Sequence, residues 1–192
     1  MTSPATVEGD ERLRLFLALE LPPGVVTALD DWAQRHLVAP GRRRVTFHVT
    51  LAFLGSRPAS ELDAIAGALR ASAAECAPLT LEPVRYRETR SVGMLVLADP
   101  TGEATRLAGR LHERLEELGV FEREARPWLP HVTVVRLRER PKLRPPLPEV
   151  GPFAPSGAAA FLSRLRRTGA QYEVLEWCPL GPLALGSSGL GG

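Results

Sequence analysis

The chain is poor in cysteine, in aromatic residues and in lysine, and it has no long uninterrupted apolar run. Two cysteines, Cys76 and Cys178, in 192 residues cannot build the dense disulfide framework of a small exported domain, so the cytoplasm is the expected location. No uncharged stretch reaches the roughly 18 apolar residues that a membrane helix needs. The first apolar run, Leu13 to Leu21, is broken by Arg14 and Glu20 and preceded by Glu8, Asp10 and Glu11, the wrong flank for a signal peptide. A soluble protein that stays off membranes is the expectation. Charge of one sign is lacking too: 24 cations against 22 anions leave a net charge of +2, too little to make the whole surface a nucleic-acid or membrane binder. Any basic site must be local.

What is present is an ordinary globular composition, 44% hydrophobic and 24% charged, in a chain of one-domain size. Residues 1–10 and 186–192 are polar or glycine-rich and read as flexible tails. Between them, 12–21 alternates as a strand, Pro22 and Pro23 stop it, and Val25 to Leu37 carries helical spacing. A β-branched strand over 45–55 leads to a helix from about Ala59 to Cys76 with Ser60 as its cap. A short strand near Leu79 to Val84, an arginine-containing loop and a strand over 91–100 follow. Thr101 to Leu118 reads as an amphipathic helix closed by Gly119, and 128–138 as another β-branched strand. Six prolines between 141 and 155 predict an extended connection, with two short strands after it.

Strand, helix and strand thus occur twice, at 12–54 and 91–138, and both closing strands carry His-Val-Thr. This points to two similar lobes related by a pseudo-twofold. The triplets are His48-Val49-Thr50 and His131-Val132-Thr133. On a strand, residues i and i+2 face the same side about 7 Å apart, so each triplet offers an imidazole and a hydroxyl together. Either triplet alone reads best as a packed histidine with a threonine partner. With four histidines and eleven threonines in the chain, only about 0.2 such triplets are expected by chance, so the pair demands a common explanation. Two imidazoles facing one cleft divide general-base and general-acid work, because a pKa near 6.5 lets one be neutral while the other is protonated. Two hydroxyls can grip a phosphate between them, which suits displacement at phosphorus. Neither triplet has a third His, Cys or carboxylate at ligand-like spacing, so no metal or other cofactor is expected.

These features resemble the 2H phosphoesterases, and within them the RNA 2′,3′-cyclic phosphodiesterases, also called 2′-5′ RNA ligases. The likeness covers most of the chain, from RLFLALELP through FHVTLAFLG and GMLVLADP to RPWLPHVTVVRL and FLSRLRRTGAQYEVLE. It implies a single bilobal α+β domain over 1–192, with antiparallel-rich sheets around a central cleft lined by the two triplets. It also implies metal-independent opening of an RNA 2′,3′-cyclic phosphate to a 2′-phosphate, with RNA ends or related nucleotides as the partners. Nothing in the sequence suggests an obligate protein partner, so a monomer is expected. Carried over residue by residue, it makes His48 the proton donor to the leaving 3′ oxygen, His131 the base that activates water, and Thr50 and Thr133 the phosphate binders. Leu51 and Val134 become packing residues. Phe53 and Arg136, each five residues beyond its histidine, match positions for base stacking and for contacting the nucleotide or phosphate.

A simple pleat puts Phe53 and Arg136 on the face opposite the histidines, so they serve the site only if a bulge or the strand end re-aims them. An arginine inside an apolar run does need an anionic partner. The chain departs from the resemblance at Arg42-Arg43-Arg44-Val45-Thr46, where a longer WVxPENL-like approach is usual; the arginine run is either a solvated loop or a guide for an RNA terminus. His36 and His112 are expected to be surface or cap histidines. Alternative substrates are a 2′-5′ linked oligonucleotide or an ADP-ribose cyclic phosphate, reversal of the chemistry is ligation, and an alternative from another class is a non-catalytic module that grips RNA ends.

Overall fold

The structure is a computed structural model that describes residues 11–38, 45–138, 142–166 and 169–181. The expected tails and Arg42, Arg43 and Arg44 lie outside these residues. In chain order the described elements are β1 (Arg12–Glu20), α1 (Pro23–His36), β2 (His48–Pro58), a 3-10 turn (Ala59–Glu61), α2 (Leu62–Ala74), β3 (Glu82–Glu88), β4 (Val92–Ala98), α3 (Glu103–Glu117), β5 (His131–Arg136), β6 (Gly157–Arg166) and β7 (Gly169–Cys178). The strands form one antiparallel sheet in the order β3-β4-β5-β2-β1-β6-β7, so the class is α+β. The expected repeat is there as β1-α1-β2 and β4-α3-β5. Its two halves meet inside this sheet through a single residue pair, Val49 opposite Val132.

The helices cover one face. Leu15, Leu17 and Leu19 of β1, Val49, Val132 and Leu95 point into one apolar cluster with Leu29 and Trp32 of α1, Ile65 and Leu69 of α2, and Leu107, Leu111 and Leu115 of α3. Each such side chain contributes roughly 1.5–3 kcal/mol by leaving water. The packing crosses the repeat: α1 lies against β5, and α3 against β2. The H-x-T strand of each half is therefore backed by the helix of the other. None of the described helices is long and apolar enough to cross a membrane. The opposite face of the sheet carries a smaller aromatic cluster, Phe16 and Phe161 with Ala18, Ala159 and Tyr172.

Helix boundaries follow local chemistry. Pro23 occupies the first turn of α1, where its missing N–H costs nothing. α3 closes in a Schellman motif: Gly119, at φ +68°, donates to the Glu116 carbonyl at 2.9 Å, and Val120 donates to the Leu115 carbonyl at 3.1 Å. Most boundaries shift by a few residues from expectation, and two differences have a plain cause. The Ser60 side chain does not cap α2, which grows instead out of the 3-10 turn with no side-chain cap. The strand expected near Leu79 to Val84 runs from Glu82 to Glu88 and takes in Arg85 and Arg87, which pair with β4. As the outermost strand, β3 tolerates charges that an inner strand would not.

One buried carboxylate ties α3 to the loop after α2. Glu103 is 4% exposed and accepts from the Ala77 backbone N–H at 3.1 Å, Arg106 at 2.7 Å and Arg110 at 2.9 Å. Burial pushes its pKa up, but the Arg110 and Arg106 hydrogen bonds outweigh that and hold it at about 2. A carboxylate depressed in the fold stabilises above its unfolded pKa and loses that contribution as pH falls toward the folded one. Glu103→Gln should therefore cost about 2–3 kcal/mol at pH 7 in urea unfolding. The gap to wild type should narrow between pH 4.5 and 2, and a gap that stays constant over that range would contradict the account.

Candidate active site

The site starts from the one pair that joins the two halves. Val49 and Val132 are 0% and 1% exposed, with their side chains on the helix face, so alternation sends the residues on either side of each to the other face. Because β2 and β5 are antiparallel, the register at Val49 and Val132 sets His48 across from Thr133 and Thr50 across from His131. All four side chains are partly exposed. Each imidazole thus stands beside the hydroxyl of the other triplet.

Strict alternation would then hide Phe53 and Arg136, and both strands break it. Along β1, Glu20, Ala18 and Phe16 pair with His48, Thr50 and Phe53, so the register passes over Leu51. Along β4, Val96, Met94 and Val92 pair with His131, Thr133 and Arg136, and the register passes over Val134. One extra residue on each strand returns the later side chain to the histidine face. Burial agrees: Leu51 and Ala52 are both buried, as are Val134 and Val135, while Phe53 and Arg136 are exposed. The Arg14 guanidinium lies over the Phe53 ring at 4.9 Å, a cation–π contact. Among the described residues no carboxylate pairs with Arg136.

The two imidazoles are housed differently. His131 Nδ1 is 2.8 Å from the Leu129 carbonyl; a carbonyl only accepts, so Nδ1 carries the hydrogen and Nε2 of the neutral ring is left basic. The Thr46 backbone, the same two-residue step back, favours the protonated form of His48. Around His48 stand Phe16 at 4.9 Å, Phe161 at 6.2 Å and, edge-on, Tyr172 at 5.6 Å between ring centroids. Burial lowers its pKa to about 4; the Thr46 backbone opposes this, while Arg136 and His131 push the same way. At neutral pH, without a ligand, His48 is uncharged.

Sequence reasoning passed over several of these residues. Phe16 and Phe161 read as ordinary strand apolars, and nothing in their spacing marks them as the wall around His48. His112, expected at the surface or as a cap, is 8% exposed, and its Nε2 is 2.8 Å from the Leu51 carbonyl. The legible signal for the bulges is the adjacent apolar pair after each threonine, Leu51-Ala52 and Val134-Val135, which slips the period before Phe53 and Arg136. Among the described residues no three His, Cys, Asp or Glu side chains converge as metal ligands.

A family model described as the 2′-5′ RNA ligase superfamily matches residues 21–156, more than half of the chain. The chain belongs to that superfamily. It is a superfamily of phosphoesterases, and the solved structures agree with it. TT0787 of Thermus thermophilus is 29% identical, with a TM-score of 0.74 over 88% of this chain and 98% of its own. Escherichia coli LigT complexed with 3′-AMP is 25% identical, with a TM-score of 0.78 over 88% of this chain and 99% of its own. The PDE domain of MHV ns2, 17% identical with a TM-score of 0.51 over 74% of this chain and 97% of its own, shares the fold. No curated protein matches the chain. Within the superfamily frame, the triplets that carried the resemblance are the residues brought together at the sheet centre.

The environment of His48 is directly measurable. In ligand-free protein its imidazole should titrate near 4 by NMR, and Tyr172→Ser, which opens one wall to water, should move it upward. Because the unfolded chain takes up this proton near 6.5 and the fold resists it, stability should rise with pH between about 4 and 6.5, and His48→Ala should flatten that slope. A His48 that titrates near 6.5 in the folded protein would contradict the enclosure.

Proposed function

We propose that the chain hydrolyses RNA 2′,3′-cyclic phosphate ends to 2′-phosphates through its two histidines, with no metal ion. The observation that carries this reading is the antiparallel crossing at Val49 and Val132, which places an imidazole and a hydroxyl on each side of one point. His131, with Nδ1 tied to the Leu129 carbonyl, takes a proton from water at Nε2. The water oxygen bonds to phosphorus, the bond to the 3′ oxygen breaks on the opposite side, and His48 gives that oxygen its proton. Thr50 and Thr133 donate to the non-bridging oxygens, and Arg136 offsets their charge. Phe53 stacks on the terminal base. The nucleotide bound to the LigT neighbour, 3′-AMP, supports a nucleotide in a site of this kind.

The donor role sets a condition on His48. Burial keeps it neutral without ligand, so the phosphate anion bound beside it must raise its pKa before it can deliver a proton. Binding a non-reacting phosphate ligand should therefore lift the His48 titration from about 4 toward neutral pH in NMR. A His48 still uncharged below pH 5 with the anion bound would exchange the roles of the two histidines.

Turnover of a short RNA with a cyclic phosphate end tests the reading as a whole. His48→Ala and His131→Ala should each lower kcat by about 10²–10⁴ while the protein stays folded, and Thr50→Val or Thr133→Val by about 10². The wild-type rate should follow a bell-shaped pH profile that loses one limb in each histidine variant. Full activity in either histidine variant would sink the proposal.

A further inference from the structure

The bulge that brings Phe53 to the histidine face leaves backbone without a ladder partner in mid-strand. Leu51 has no partner in the β1 register, and the β2–β5 register records only Val49. Its carbonyl accepts instead from His112, whose Nε2 stands 2.8 Å away and must carry the hydrogen. One residue earlier, the Thr50 carbonyl accepts from Trp128 Nε1 at 3.0 Å. His112 lies on α3 and Trp128 on the approach to β5, so both donors come from the second repeat. Beyond Glu103, the other buried residues of α3 are Ala and Leu. An imidazole on that apolar face costs desolvation that a leucine would not, unless its hydrogen bond is needed there.

We propose that His112, assisted by Trp128, is a positioning residue for nucleobase recognition. It fixes the β2 bulge and so keeps Phe53 on the catalytic face. With the carbonyl unpartnered, the strand satisfies its backbone best by giving up the extra residue, and a one-residue slip turns Phe53 away from the imidazoles. The inference rests on the reading of Phe53 as the base-stacking side chain, and its test uses binding alone, so that it stands apart from turnover.

The test is calorimetric titration of the full chain with adenosine 2′-monophosphate and with the base-free methyl riboside 2-phosphate. Wild type should bind the nucleotide about tenfold more tightly, the size of one stacked base. His112→Leu should lose that preference and hold the base-free ligand within about twofold of wild type. His112→Gln, whose amide nitrogen replaces Nε2 as donor, should retain the preference. Trp128→Phe removes a single donor from a half-buried ring and should erode the preference even if His112→Leu does not fold. Equal weakening of both ligands in His112→Leu would mark a merely structural role and overturn the inference. A preference that falls in Phe53→Ala and survives in both His112→Leu and Trp128→Phe would overturn the positioning role alone. A preference that survives Phe53→Ala, or is absent from wild type, would overturn the Phe53 reading and the inference with it.

Discussion

Where β2 meets β5, one antiparallel pair of buried valines, Val49 and Val132, joins the halves of the sheet, and the geometry of the site hangs on it. With both valines held on the helix face, the flanking His and Thr of each triplet emerge on the other face, and the antiparallel sense crosses them. The helices defend this joint from behind, α1 against β5 and α3 against β2. A slip of either strand by one residue at the pair would send its imidazole and hydroxyl into the apolar core. Fold and site therefore rest on the same contact.

The pseudo-twofold supplies two equal triplets, and the surroundings make them unequal. His48 sits against Phe16, Phe161 and Tyr172, whereas among the described residues His131 has its Leu129 tether and no ring packed against it. β6 and β7 extend the sheet on the β1 side and supply two of those three rings. That asymmetry is what acid–base division requires: two groups of one kind, with environments that move their proton affinities apart. In the proposed reaction an anion bound between them would shift the balance again, because opposite charge offsets the burial that keeps His48 neutral.

Much of this was legible in the residues themselves. The twinned triplets, the alternation of 12–21 and the helical period of 101–118 report local burial, and local burial is what the sheet and helices realise. The resemblance to the 2H phosphoesterases followed from them, and it implied the α+β class. Less legible were features that depend on which strand lies next to which. The facing of Phe53 turns on a bulge that exists only relative to β1, and the edge position of β3 turns on the sheet order. His112 looked dispensable because its partner, the Leu51 carbonyl, is 61 residues away in sequence. Long-range pairings of this kind leave no local period.

The central claim is that one crossed pair of H-x-T strands opens a cyclic phosphate in a fixed direction. The measurement that tests it most directly is incubation of the purified chain, in excess chelator and in ¹⁸O-labelled water, with a short RNA ending in a 2′,3′-cyclic phosphate, followed by resolution of the two monophosphate isomers. The account predicts a 2′-phosphate carrying a single labelled oxygen. A 3′-phosphate product, or no turnover from folded protein with His48 and His131 intact, would contradict it.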